Sequence, residues 1–534
     1  MHRVAVLLVT GVLVYPALVL AGDNDWPSYN RSLTSERYVS ATEVNRANVA
    51  GLKVTCSYDT GIKTSFQTGP IVVDGTLYFT TEKGVFAVDA ATCQEKWRVV
   101  EDSLPDSYLR VNRGVAFLDG RLFRGTQDGR VFAYDAATGK RLWATRIADP
   151  TRGESVPAAP IAWNDMVFIG NAGSDNKGVK GRMYALEAAT GKQLWETYLV
   201  PKSREPLPAG VADRMHEIAA RTWDNGADVP ITGGATWTSY TLDPERGLLY
   251  VPGGNPAPDF ASGLRRGSNL FTNSVIVLDA KTGEYRAHYS LVRDDFHDWD
   301  VSAAPILFTA RNGHRMMAAA PKDGHLYGYD LASGKRLFRV PTTTILNSVV
   351  PLGPKPVRFC PGSQGGNEWN GPAYSPQTNL IYTGAVDWCA TVALAEEAQV
   401  KSVAAGQAWS GGADPKAPFG NLDPPVRWAG WLTASDASTG VRTWRFRSPT
   451  PLLSGVTPTA GGLVFFGDMA GRAYAADART GRILWTHDTG GAIGGGVISY
   501  VAGGRQRIAV ASGMTSPIWP TPDVTAKIVV FARE

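Results

Sequence analysis

Charge is scarce in this chain, and nowhere does it gather. Asp, Glu, Lys and Arg make up 19% of 534 residues, 53 basic against 49 acidic, with no basic run or stripe. A nucleic-acid partner, which needs a positive face to neutralise phosphates, is therefore not expected. Cysteine is rarer still, at four residues. None stands in a Cys-x-x-Cys-His motif, which excludes covalent attachment of a c-type haem here. Only one long apolar run occurs, Val4 to Leu20, preceded by Arg3 and ending in Val19-Leu-Ala21 before Gly22. That ending has the form of a secretory cleavage site, so 1–21 is expected to be a signal peptide and 22–534 a single exported domain. The run is almost long enough to span a bilayer, and a retained anchor is the alternative.

Export permits disulfides. Four cysteines allow three pairings, of which the local one, Cys56–Cys93 and Cys360–Cys389, is favoured. Cys56 lies in a strand-like segment and Cys93 in a turn, while Cys360 and Cys389 flank one hairpin region.

What the chain does have is one phrase, repeated. Val131 to Trp143 reads Val-Phe-Ala-Tyr-Asp-Ala-Ala-Thr-Gly-Lys-Arg-Leu-Trp. Near-copies run Val85–Trp97, Met183–Trp195, Leu326–Phe338, Leu432–Trp444 and Ala473–Trp485, with a looser one at Val275–Tyr285. Each is an alternating strand, an Asp-x-x-Thr-Gly-like turn and a second strand carrying an aromatic residue. The Asp accepts backbone hydrogen bonds, Gly takes the φ > 0 position, and the alternating apolar residues suit a half-buried strand. The aromatic residues are expected to pack between neighbouring sheets.

The turn acids are Asp89, Asp135, Glu187, Asp279, Asp330, Asp436 and Asp477. Most are about 41 to 52 residues apart, the span of a four-stranded propeller blade, and two gaps are about twice as long. Upstream of the copies lie further strands, such as 70–80 around an Asp-Gly hairpin turn. The last strand set (496–501, 507–511 and 527–532) lacks an outer strand, and Leu52–Tyr58 fits that role. The expectation is all-β: an eight-bladed propeller of four-stranded antiparallel blades, closed by the N-terminal strand.

A propeller alone implies no function, so the interruptions of the repeat matter more. The first long gap holds Gly233-Gly-Ala-Thr-Trp-Thr-Ser239 and Gly253-Gly-Asn-Pro-Ala-Pro258; just past its end comes His297-Asp-Trp-Asp-Val-Ser302, and then Pro321-Lys-Asp-Gly324, leading into the next copy. With Val111-Asn-Arg-Gly114, and in this order, they resemble the pyrroloquinoline quinone (PQQ)-dependent alcohol dehydrogenases over essentially the whole mature chain.

The resemblance implies roles. Asn255 matches an amide ligand to the metal, and Asp300 the catalytic base and metal neighbour. Trp237 matches the indole beneath the quinone, Arg113 a partner of the cofactor's carboxylates, and Lys322 a cation at the quinone oxygens. Gln67 replaces a Glu that contacts the cofactor. The family's metal-binding Glu falls in Gly173–Gly181, here one residue longer, where Asn176 takes the ligand position and Asp175 stands beside it. Lanthanide-dependent members carry a second Asp two residues after the base; Ser302 stands there, which favours Ca²⁺. The family's adjacent cysteines are replaced by Ser107-Tyr108, with Tyr108 the alternative cover of that face. His297 is read as structural.

These residue types suit the chemistry independently. A planar tricarboxylate needs an aromatic platform and fixed cations. Ca²⁺ takes carboxylate and amide oxygens and polarises a carbonyl, while a neighbouring carboxylate takes the alcohol's proton as hydride leaves for the quinone. The family implies a periplasmic enzyme passing electrons to a separate cytochrome c. A sugar or polyol dehydrogenase and a non-enzymatic scaffold of the outer-membrane assembly type are the alternatives. The insertions 201–228, with a short helix expected near 213–222, and 401–425 are of the kind that roofs a pocket.

Overall fold

The computed structural model describes residues 25–105, 107, 109–208 and 213–533. The expected signal peptide at 1–21 and Tyr108 lie outside the described residues. Within them are eight four-stranded antiparallel sheets, accompanied by a two-stranded and a three-stranded ribbon. Each copy of the phrase forms the third and fourth strands of a sheet. Gly84–Asp89 and Glu95–Val100 are one such pair, Arg130–Asp135 and Arg141–Arg146 the next.

The burial pattern explains the wording of the phrase. Val85, Phe86, Ala87 and Val88 are all buried, because both faces of their strand are covered by sheets. The outer strand Glu95–Val100 alternates between exposed and half-buried positions. Where the turn feeds the outer strand, the pairing slips at one fixed place: after Ala87, Ala133, Ala185, Val277, Gly328, Ala434 and Ala475. A bulge of this kind sharpens twist and re-aims the residues that follow.

The turn acid works locally. Asp89 Oδ1 accepts from Ala91 N and Thr92 N, both at 2.9 Å. The aromatic residue works between sheets. Trp97 Nε1 donates to Ala136 O (3.0 Å), Trp143 Nε1 to Ala188 O (3.1 Å), Trp195 Nε1 to Ala280 O (3.1 Å) and Trp444 Nε1 to Ala478 O (3.1 Å). Each acceptor directly follows the turn acid of the next copy. The indole also lies flat on that copy's turn glycine: a Cβ at Gly139 would meet Trp97 Cε3 at 2.7 Å, and one at Gly191 would meet Trp143 Cε3 at 2.6 Å. The glycine is thus required twice, for its positive φ and for the ring above it.

Trp485, in the last copy, donates instead to Leu52 O at 3.3 Å. Leu52 opens the strand Leu52–Asp59, which pairs antiparallel with Lys527–Arg533 at the other end of the chain. Among the described residues, the two double-length gaps hold insertions and no further four-stranded sheet. The first contains the helix Arg214–Ala219, capped by Asp213, and a 3₁₀ turn at Ala220–Thr222. The second contains the ribbon of Val357–Phe359, Ala390–Val392 and Asn421–Leu422. Disulfides join Cys56 to Cys93 and Cys360 to Cys389, as the local pairing anticipated.

Candidate active site

Antiparallel pairing puts the segment leading into a sheet's first strand at the same end as the turn leaving its second. The candidates fall in those two places. Gln67, Arg113, Trp237 and Asp300 precede strands beginning at Ile71, Ala116, Thr241 and Ile306. Asp175, Asn255 and Lys322 follow strands ending at Gly170, Pro252 and Ala319. Gln67, Arg113, Asp175, Asn176, Trp237, Asp300 and Lys322 line one cavity of about 560 Å³. Asn255 stands directly behind it, buried, with its backbone N–H donating to Asp300 Oδ1 at 3.0 Å.

Asp300 is held from three sides. Its Oδ1 accepts from Asn255 N and, at 3.3 Å, from Trp237 Nε1, and Lys322 Nζ lies 2.7 Å from Oδ2. This closeness depends on Gly254, where a Cβ would meet Ala235 O at 2.7 Å and Asp300 Oδ1 at 2.8 Å. Arg113 is the second buried cation. It donates through Nη2 to Gln67 Oε1 (2.7 Å) and through Nη1 to Trp237 O (2.9 Å). Its guanidinium carbon lies 4.6 Å from the Trp237 ring centroid and 5.5 Å from that of Trp369, and its Nε has no partner. Burial draws Arg113 down to about 10, so it remains charged at neutral pH.

Acids crowd this end of the molecule. Burial and the neighbouring Asp300 raise Asp175 to about 6 against the pull of Lys322 and the Asn255 amide. Burial raises Asp298 well above the carboxylate range despite Lys322, with Asp300 adding to the rise. Lys322 is pulled down by burial, but Asp298 and Asp300 outweigh that and hold it well above the usual lysine value. Glu368 is pushed up to about 8 by burial, opposed by Lys322 and reinforced by Asp300.

Asn176 Nδ2 donates to Gly153 O at 2.8 Å, whereas the carboxyl of Asp175 lies beside the Asn255 amide. Ser302 donates to Asn367 O. The His297 ring is stacked 3.9 Å from Trp299 and meets Phe359 edge-on at 4.6 Å, and it is not part of the cavity lining. Of the insertions, 401–425 reaches the site, since Trp409 N donates to Asp175 O at 2.8 Å and Phe419 lines the cavity. Among its described residues, the 201–228 insertion supplies none of the lining; its Met215 and Ala219 pack beside Tyr198, Val200 and Phe271.

Sequence reasoning missed Asp259, Asp298, Glu368 and Trp369. Asp298 had a signal, as the other acid of His-Asp-Trp-Asp, two residues before Asp300, and Lys322 Nζ lies 3.5 Å from its Oδ1. Glu368 and Trp369 sit in Gly365-Gly-Asn-Glu-Trp-Asn370, which carries no local pattern of this kind.

The residues present suit a hard cation beside a flat anionic ligand. Among the described residues, no three His, Cys, Asp or Glu are placed to hold a metal ion by themselves. The donor set is mixed: Asn255 Oδ1 is buried without a partner, with Asp300 and Asp175 beside that residue. An amide oxygen and carboxylates are what Ca²⁺ accepts, and a carboxylate-bearing ligand can complete such a shell. Trp237, Arg113 and Lys322 offer that ligand an aromatic face and two cations.

Comparison with known proteins agrees. A family profile described as "Glucose/ethanol/alcohol dehydrogenase, beta-propeller domain" matches residues 26–353, and one for "Outer membrane protein assembly factor BamB" matches 429–516. The quinohemoprotein alcohol dehydrogenase ADH-IIG of Pseudomonas putida is 32% identical over 93% of this chain and 74% of its own length. Its solved structure superposes with a TM-score of 0.85 at 27% identity, covering 96% of this chain and 80% of that one. A europium-containing methanol dehydrogenase superposes with a TM-score of 0.82 at 26% identity, covering 96% and 98%. Fold and site define a propeller-type dehydrogenase. The chain belongs to the PQQ-dependent quinoprotein alcohol dehydrogenase family.

Proposed function

We propose that this chain is a periplasmic PQQ-dependent dehydrogenase that oxidises an alcohol and passes the electrons to a separate cytochrome c. The eight sheets are read as blades of one ring spanning 22–534, closed by Leu52–Asp59 against Lys527–Arg533. Residues 1–21 are read as the export signal. The single observation carrying the activity is the convergence on Asp300 of Lys322, Trp237 and the Asn255 segment, whose amide oxygen is left buried and unpartnered.

Bound PQQ supplies the electron-accepting quinone and bound Ca²⁺ the Lewis acidity; the chain supplies binding, orientation and proton transfer. Asn255, Asp300 and Asp175 would hold the cation, with Asn176 the alternative to Asp175. Ser302, uncharged, supports Ca²⁺ over a trivalent ion. Arg113, Gln67 and Lys322 would hold the quinone's oxygens, and Trp237 its face. Asp300 takes the hydroxyl proton of the alcohol, with the Lys322 ammonium 2.7 Å from its Oδ2. Pro105, Leu109, Phe419, Ile518 and Trp519 give the same cavity apolar lining against which the alcohol's carbon chain would pack.

A polyol reading draws on Gln127, Gln364 and Ser516 in the same lining, polar groups able to meet further hydroxyls. The test is purified protein with Ca²⁺ and PQQ, reducing an artificial dye across a panel of alcohols, polyols and sugars. Reduction with simple alcohols supports the proposal. Cofactor binding without reduction by any of them refutes it, and no cofactor binding would favour a scaffold.

A further inference from the structure

We infer that Asp259 is a positioning residue of the metal site: its carboxylate fixes the Asn255 amide so that the oxygen, and not the nitrogen, is free for the cation. The inference rests on the reading of Asn255 as a ligand.

The two ends of an asparagine amide are nearly equal in shape and opposite in chemistry. The oxygen accepts and can ligate a cation; the NH₂ donates and repels one. Shape alone therefore does not choose between the two orientations. At Asn255 the choice is made by Asp259, on the same loop and 4% exposed. Asn255 Nδ2 donates to Asp259 Oδ1 at 3.0 Å and more weakly to Pro256 O at 3.4 Å, and the Asp175 carboxyl, which the Asn255 side chain also lowers, stands on the same NH₂ side. Oδ1 is the end left buried without a partner. With Asp259 ionised, turning the amide over would press Oδ1 against a carboxylate, acceptor against acceptor, and put the NH₂ where the cation is to sit.

Asp259 also stands on a rigid mount. Arg265, buried, donates through Nε to Pro258 O (2.9 Å) and through Nη2 to Asp259 O (2.8 Å). The same Nη2 donates to Asp295 O at 2.9 Å. The Asp295 carboxylate accepts from His297 N (2.9 Å) and Trp299 N (3.0 Å), the residues leading to Asp300. One guanidinium thus ties the loop of Asn255 and Asp259 to the loop of Asp300. A buried carboxylate is a poor device for stability alone, because its desolvation offsets much of what its partners return. Outer-shell groups of this kind orient ligands, and their loss weakens metal binding about 10- to 100-fold.

The readout is the Ca²⁺ concentration needed for PQQ to quench tryptophan fluorescence of the full chain. Asp259→Leu, close in size and unable to accept, is expected to raise that concentration about 10- to 100-fold, while Asp259→Asn, which keeps an acceptor oxygen, stays within about threefold of wild type. The metal-free melting temperature of both stays at or above that of wild type, because burial, reinforced by Asp175, raises Asp259 well above the usual carboxylate range and so disfavours its charge in the fold. If the leucine variant does not fold, Asp259→Ala carries the same expectation. A leucine or alanine variant that needs no more Ca²⁺ than wild type overturns the inference. So does an asparagine variant as weak as the leucine one, since charge and not orientation would then be the contribution. Absence of Ca²⁺-dependent quenching in the wild type would instead overturn the metal reading itself, and this inference with it.

Discussion

Replacing Asp300 by Asn tests the proposed chemistry with the least change of shape. The substituted side chain keeps an amide oxygen that can accept from Asn255 N and Trp237 Nε1, so two of the three contacts now made, at 3.0 and 3.3 Å, can persist. The third cannot, because an NH₂ would face Lys322 Nζ where a carboxylate oxygen now lies at 2.7 Å. Lys322 would keep only Asp298, at 3.5 Å. Two losses follow. The proton acceptor is gone, which for a positioned general base is worth about 10²- to 10⁴-fold in rate. At 1.36 kcal/mol per tenfold, that is about 2.7 to 5.4 kcal/mol of barrier. Lys322 is also left half-paired, which costs stability, but less than the about 3–5 kcal/mol of a fully orphaned buried charge. The assay is dye reduction per mole of bound cofactor at saturating alcohol and Ca²⁺, with PQQ-dependent fluorescence quenching confirming occupancy. We expect kcat to fall at least about a hundredfold. A fully occupied Asp300→Asn enzyme with kcat within about threefold of wild type would remove Asp300 as the base.

Arg113→Lys forfeits the two bonds to Gln67 Oε1 and Trp237 O and the planar contact with Trp237. At about 1.5–3 kcal/mol for a hydrogen bond to a charged group, PQQ affinity should fall roughly ten- to hundredfold in a fluorescence titration, and an unchanged affinity would exclude Arg113 from the site. Glu368 titrates near 8 when folded against an ordinary 4.5, because burial and Asp300 outweigh Lys322 and Arg113. Between those values the unfolded chain ionises while the folded one keeps its proton, so the metal-free fold loses stability as pH rises from about 4.5 to about 8. The melting temperature of metal-free Glu368→Gln relative to wild type should therefore climb across that window and level off above it; parallel curves would contradict the buried acid. Opening Cys360–Cys389, which closes a separation of 29 residues, should cost about 3–4 kcal/mol in the chain-entropy account and lower the melting temperature of a Cys360→Ser/Cys389→Ser protein. An unchanged melting temperature would mean the surrounding packing already holds that segment.

The frame was legible because its determinants are local. An acid that caps its own turn, a glycine at positive φ and an indole one strand later all lie within about thirteen residues, so the phrase can be read without knowing what packs on it. Even the interlocking of sheets is written there, since the Trp of one copy meets the turn of the next. The site was legible only where the chain matched a known pattern. Asp259 and Glu368 could not be found that way. Asp259 matters through a bond to Asn255 four residues away, in a loop whose path is set by Arg265 rather than by helix or strand periodicity. Glu368 reaches Lys322 and Arg113 only because separate sheets bring the three together. The choice between Asp175 and Asn176 likewise depends on a backbone path that spacing does not specify. So does the place of the 201–228 insertion, whose helix is legible in the sequence while its distance from the cavity is not.

The same residue type behaves in opposite ways in frame and site, and that contrast separates their purposes. Asp135 is held below the usual carboxylate range, foremost by the Thr138 hydroxyl and then by backbone N–H groups of its own turn. Asp89 is likewise lowered: burial opposes the shift, but the Thr92 and Ala91 N–H bonds prevail over it. Those carboxylates are stabilised where they stand, and ionisation favours the fold. Asp175, Asp298 and Glu368 are raised, because burial and mutual repulsion exceed what Lys322 and Arg113 return. A fold gains nothing by gathering such groups; strongly perturbed acids in a cavity mark a site built for a partner it does not itself contain. A cation that binds only the folded chain would offset that cost by mass action, about 2.7 kcal/mol at a hundred times its dissociation constant. The frame must therefore be stable enough to hold the acids together before the cation arrives, and the repeated Trp-on-glycine contacts between successive sheets are the features suited to that task.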